Sequence, residues 1–117
     1  MTYHAVIYTK VNCPKCRMTV HLFETYRIPY QNSYYGNLNE PNLIDLDATN
    51  ERRRCWSHKK VEKLKAKGVH TMPYVEVIDD QASVGKAKPV IVDDWSDFRP
   101  DKIKHLAQVW QGNQYSS

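Results

Sequence analysis

The chain has 117 residues, 41% of them hydrophobic and 26% charged, with a formal net charge of +4. That length suits one domain with one modest core, and the composition is that of a globular protein, not of a fibrous or disordered one. No stretch has the apolar length needed to span a bilayer, and no basic n-region, apolar h-region or cleavage site is visible, so the expected location is the cytoplasm.

The elements read in the order strand, helix, strand, helix, strand, strand, helix. The first strand is Ala5 to Thr9, a run of β-branched, aromatic and small apolar residues. The first helix starts near Pro14, where the missing N–H costs nothing, and runs to Tyr26. Met18, Leu22 and Tyr26 recur at helical spacing, and Ile28-Pro29 ends the element. A long polar loop follows, from Tyr30 to Asn42, with Tyr34 and Tyr35 in it. Leu43-Ile44-Asp45-Leu46 reads as a short second strand. Thr49 or Asn50 can N-cap the second helix, Glu51 suits its first turn, and Gly68 stops it after about Lys67. Tyr74 to Ile78 and Val90 to Val92 are strands joined as a hairpin around Gly85. Pro100-Asp101 opens the last helix. A single domain over 1–112 and a frayed tail over 113–117 are expected. Pattern alone supports a small α/β domain.

Cys13-Pro14-Lys15-Cys16 sits at the turn from the first strand into the first helix. A thiolate there meets the positive end of the helix dipole and unpaired N–H donors, both of which lower its pKa. In a reducing compartment such a pair is more often catalytic or metal-binding than structural. In the redox reading Cys13 attacks a substrate disulfide and Cys16, one turn in and more buried, resolves the mixed disulfide. Lys10, Lys15 and Arg17 add positive charge, although each also fits plain surface charge. Thr71-Met72-Pro73 precedes an apolar strand. If the Met72–Pro73 bond is cis, the Met72 backbone is turned outward and can pair with an extended substrate; otherwise Pro73 merely begins a strand. Trp95 and Phe98 fit either core packing or contact.

Three motifs in this order resemble those of glutaredoxin-like redoxins of the NrdH-redoxin branch. Ile7-Tyr8-Thr9-Lys10 leading into Cys13-Pro14-Lys15-Cys16 is similar to the glutaredoxin active-site entry. Thr71-Met72-Pro73 resembles that family's Thr-Val-Pro, whose proline is cis. Trp95-Ser96-Asp97-Phe98-Arg99-Pro100-Asp101 resembles the branch signature, with Asp97 where the branch has glycine, and Thr19 also matches. The resemblance implies a thioredoxin fold with a four-stranded mixed sheet in β-α-β-α-β-β-α order. It implies a dithiol electron carrier without a tightly bound cofactor, reduced by thioredoxin reductase and reducing ribonucleotide reductase. Site residues carried over are Cys13 and Cys16 as catalytic thiols, with Lys10, Pro14, Lys15, Thr71, Met72, Pro73, Trp95, Ser96 and Phe98 as substrate-binding residues. A glutathione-dependent glutaredoxin is the alternative, supported by Pro14 and Lys10. Against tight glutathione binding, Val92 to Phe98 contains no glycine pair.

A reading of another class uses Cys55-Trp56-Ser57-His58. Cys55 and His58 with Cys13 and Cys16 make a legitimate zinc set, as in a metal-stabilised binding module. Cys55 also fits a plain or redox-regulated thiol. Arg52-Arg53-Arg54 and Lys59, Lys60, Lys63, Lys65 and Lys67 form a basic stretch without interleaved stacking aromatics. It reads as a solvated helix face that can steer an acidic partner, not as a nucleic-acid surface. His4, His21, His70 and His105 form no evident cluster. A monomer that binds neither membrane nor nucleic acid is expected.

Overall fold

β1 (Tyr3–Lys10) is the strand on which the others assemble. The computed structural model describes residues 3–32, 37–38 and 42–115. Ala5 to Thr9 are all buried, so β1 has core on both faces instead of the alternation of a half-exposed strand. β5 (Tyr74–Asp79) pairs antiparallel along its whole length, from Tyr3 opposite Asp79 to Tyr8 opposite Tyr74. β6 (Ile91–Ser96) pairs antiparallel with β5, and its register shifts at Val77/Ile78.

On the other edge of β1 the structure departs from the sequence reading. The second strand is split. β2 (Tyr30–Asn32) pairs parallel with Ala5 and Val6, and β4 (Asn42–Ile44) pairs parallel with Tyr8 to Lys10. Between them β3 (Asn37–Leu38) pairs antiparallel with β2. The ends of the expected loop are therefore sheet, because the backbone of Tyr30, Gln31 and Asn32 satisfies the N-terminal half of the β1 edge whatever the polarity of the side chains. Residues 33–36 and 39–41, with Tyr34 and Tyr35, lie outside the described residues. Counting β2 and β4 as one position, the core sheet has the four expected strands, with β1 central and mixed pairing.

Three helices cover the sheet. α1 (Pro14–Thr25) and α3 (Pro100–Tyr115) pack on one face. There Phe23, Ile28, Ile103, Leu106 and Ala107 meet Ala5, Ile7, Val75, Val77 and Trp95. α2 (Glu51–Ala66) packs on the other, where Leu64 meets Val6, Tyr8, Tyr74 and Ile78, with Tyr8 stacked on Tyr74 at 5.9 Å. α3 continues through Gly112 to Tyr115, so the helix occupies positions expected to fray.

The helix ends follow local chemistry. The Asn50 side chain accepts from the Arg53 N–H at 3.1 Å, which N-caps α2. Both α1 and α2 close with the same pair of C-terminal hydrogen bonds. Ile28 N–H donates to the Phe23 carbonyl and Arg27 N–H to Glu24; Val69 N–H donates to Leu64 and Gly68 N–H to Lys65. This closure needs a left-handed residue, Gly68 at φ +86° in α2 but Arg27 at φ +57° in α1.

The two closures give opposite expectations. Nothing lies within 4 Å of a Cβ built on Gly68, so Gly68→Ala meets only the backbone penalty, about 1 kcal/mol of lost stability. Arg27→Gly relieves that penalty and raises stability by a few tenths of a kcal/mol to roughly 1 kcal/mol. Urea midpoints with unchanged m-values check both signs.

Candidate active site

The end of β1 delivers the dithiol. Val11 and Asn12 turn the chain, with Asn12 at φ +57°, a conformation that asparagine tolerates. Cys13 is then the N-cap of α1, in extended backbone at φ −114° and ψ 103°. Its sulfur accepts from the Cys16 N–H at 3.2 Å, the geometry in which a helix N-terminus stabilises a thiolate. Pro14 occupies the first helical position, where no N–H is required. The sulfurs of Cys13 and Cys16 are joined as a disulfide, with Cα atoms 5.2 Å apart. Thr19 is buried, and its hydroxyl donates to the Lys15 carbonyl at 2.9 Å, bracing the first turn.

Cys16 is the more buried of the two thiols, but the difference is small because Cys13 is buried as well. Cys13 is 6% exposed and Cys16 3%. The two differ in what they border. A groove of about 770 Å³ reaches Cys13 but not Cys16, between the dithiol turn, the segment after β4, α2 and the stretch before β5. Lys10, Val11, Pro14, Lys15, Leu46, Lys65, His70, Thr71 and Met72 are among its walls. A second groove of about 470 Å³ borders both cysteines, with Thr9, Lys10, Val20, His21 and Leu43. Val11 and Leu46, apolar and about two-fifths exposed, stand at this mouth. Neither stood out in the sequence, where an apolar residue beside a strand end reads as core and only the fold shows it exposed.

The Met72–Pro73 peptide bond is cis. Pro73 is buried, Met72 is half-buried in the wall of the larger groove, and Thr71 is exposed beside it. The groove thus brings together Lys10, Cys13, Pro14, Lys15, Thr71 and Met72. Trp95 lies apart. It is 6% exposed in the α1/α3 core, and its indole N–H has no acceptor among the described residues. Phe98 packs partly buried against the same core, and Ser96 pairs with Tyr74 in the sheet. Of that signature, Asp97 is the residue that turns toward the dithiol. Its N–H donates to the Pro73 carbonyl at 2.8 Å, and its carboxylate pairs with Lys15 Nζ at 2.9 Å. The Lys15 ammonium, followed by the Phe98 N–H, holds the Asp97 carboxyl below the usual carboxylate range.

The rival metal set does not assemble. Cys55 is exposed on α2, and among the described residues no three His, Cys, Asp or Glu side chains converge as a metal would require. Within Cys55-Trp56-Ser57-His58 it is Ser57 that is buried, with its hydroxyl accepting from the Asp45 N–H at 3.0 Å. No helix among the described residues is long and apolar enough to cross a membrane.

No protein-family model and no curated protein matches the chain. Its structure is similar to that of the glutaredoxin-like protein NrdH-redoxin from Escherichia coli, which is described as having a thioredoxin-like activity profile. The TM-score is 0.53, with 23% identity over 88% of this chain and 93% of that one. The likeness is one of fold: the chain has the thioredoxin fold of glutaredoxin-like redoxins.

The brace under the dithiol turn can be weighed separately from the thiols. Thr19→Val keeps the shape of the side chain and removes its bond to the Lys15 carbonyl. The expected loss is about 0.5–1.5 kcal/mol in denaturant unfolding. A loss near zero would mean that packing alone holds the turn.

Proposed function

We propose that the chain is a thiol–disulfide oxidoreductase working through Cys13 and Cys16. The observation that carries this reading is a Cys-x-x-Cys pair at a helix N-terminus, with the Cys13 sulfur accepting the Cys16 N–H beside a groove walled by Thr71 and Met72, just ahead of the cis bond to Pro73. In the reduced protein Cys13 thiolate attacks one sulfur of a substrate disulfide. A Cys13–substrate disulfide forms and the other substrate sulfur leaves as a thiolate that takes a proton. Cys16, losing its proton, then attacks the Cys13 sulfur. The second substrate thiol leaves, the Cys13–Cys16 disulfide forms, and two electrons have passed to the substrate. Met72 offers its backbone along the groove, Pro73 shapes that wall, and Lys10 places positive charge at the mouth. No bound cofactor enters any step.

Within that class we place the chain with the thioredoxin-like carriers, reduced by thioredoxin reductase and passing electrons to ribonucleotide reductase in the cytoplasm. The thioredoxin-like activity profile of the Escherichia coli NrdH-redoxin supports this placement. A glutathione-dependent reaction is the second reading. The groove of about 770 Å³ has room for a tripeptide, with Lys10 and Lys65 in its walls to meet the carboxylates.

Insulin reduction separates these readings. With NADPH, activity is expected with thioredoxin reductase and at most weak activity with glutathione and its reductase; the reverse result would move the chain to the glutaredoxins. Cys13→Ser should abolish turnover while keeping the fold, because serine is itself a good N-cap. Cys16→Ser should accumulate Cys13–substrate mixed disulfides, visible by mass spectrometry. Substantial turnover by Cys13→Ser would overturn the mechanism.

A further inference from the structure

We propose that Asp97 is a positioning residue of the dithiol: it captures the Lys15 ammonium and cancels the charge that lysine would otherwise present to the Cys13 thiolate. The inference deepens the oxidoreductase reading and rests on it for its consequence in the reaction.

Asp97 is held in an unusual place. Its φ of +72° lies in the left-handed region, where a residue with a Cβ needs compensating contacts. It has three. Its N–H donates to Pro73 O at 2.8 Å, its Oδ1 accepts the Phe98 N–H at 2.8 Å, and the same Oδ1 pairs with Lys15 Nζ at 2.9 Å. One residue thereby joins the cis-proline segment, the entry to α3 and the first turn of α1. Asparagine offers the same donor and acceptor for all three bonds. What it lacks is the full negative charge that opposes Lys15.

Lys15 lies between the two cysteines and lines the groove that Cys13 borders. Alone, its ammonium would stabilise a Cys13 thiolate. Paired with Asp97, the two charges present nearly no net charge to the sulfur. The other charges bordering Cys13 are Lys10, Arg17, His21 and Glu24 from its own turn and helix, Asp45 and Asp47 after β4, Lys65 on α2 and His70 before the cis bond. All of these are unchanged when only Lys15 or Asp97 is altered. The pair is half-exposed, with 58% of the Lys15 side chain and 45% of the Asp97 side chain accessible, so its influence should be modest and screened by salt. A lower thiolate affinity for protons would speed attack at neutral pH and make the dithiol a weaker reductant, so Asp97 keeps the site on the reducing side.

The test is thiolate titration of reduced full-length protein in a Cys55→Ser background, by ultraviolet absorbance and by the pH–rate profile of iodoacetamide alkylation. Asp97→Asn should lower the Cys13 pKa by a few tenths of a unit, the order of effect of one solvent-exposed unit charge within a Debye length. Lys15→Gln should raise it by a similar amount, and the double variant should return close to the parent. In 1 M salt the single-variant shifts should shrink. A purely structural Asp97 would leave the Asn variant at the parent value. That outcome, a shift of the opposite sign, or a double variant displaced as far as either single would overturn the proposal. The titration reads Cys13 whether or not the protein turns over any disulfide, so failure here is distinct from failure of the oxidoreductase reading.

Discussion

Burial of β1 on both faces is the constraint on which the rest of the molecule depends. A strand with Ala5, Ile7 and Thr9 on one side and Val6 and Tyr8 on the other, all buried, cannot lie at an edge or face water. It must find partners along both edges and layers on both faces. β5 supplies one edge in full. The other is shared by β2 and β4, and α1/α3 and α2 close the two faces. Once β1 is fixed, so is the point where it ends. Cys13 stands three residues beyond that end, and its place at the α1 N-terminus follows from a short turn leaving a rigid strand. The site is exact in position because the strand beneath it has no freedom to slide: a one-residue slip would exchange its two buried sets.

The edge of β1 opposite β5 is shared by two separate strands. Ala5 keeps its partner Tyr30 and Lys10 keeps Ile44, so the β1 edge is paired at both ends, while β3 between them pairs with β2. Closing the chain between β2 and β4 costs loop-closure entropy that grows only slowly with its length. Its C-terminal return is also functional ground. Ile44 to Asp47 form one wall of the larger groove, so the detour ends where the chain meets the dithiol.

What could be read from the sequence was whatever one or a few neighbouring residues decide. Pro14 at the first helical position, Asn50 as N-cap and Gly68 as left-handed stop each act through their own backbone, and each stands where expected. The dithiol and Thr71-Met72-Pro73 were legible because both are short motifs. What was not legible depends on distant partners. Gln31 and Asn32 look like loop, and only the free edge of β1 makes them strand. Trp95 on its strand has two faces to choose from, and the packing of α1 and α3 selects the inward one. Asp97 could be seen to stand in a glycine position, but nothing local announces that its carboxylate meets Lys15 from more than eighty residues away.

The same point governs the charge of α2. As a string, its lysines look like one basic surface. In the fold they divide by direction. Lys67 pairs with Glu76 at 2.9 Å and lies over the Tyr74 ring, and Lys60 lies 4.8 Å from the Tyr8 ring, where burial lowers its pKa. These two roof the sheet, with aliphatic stems over apolar surface and charge at the rim. Lys65 points the other way and joins Lys10 and Lys15 around the groove at Cys13. Of those three, Lys15 already has Asp97 as its counter-ion. The positive field at the dithiol is therefore set less by the number of lysines in the chain than by which of them already hold a carboxylate, and that depends on the meeting of β6, the cis-proline segment and α1.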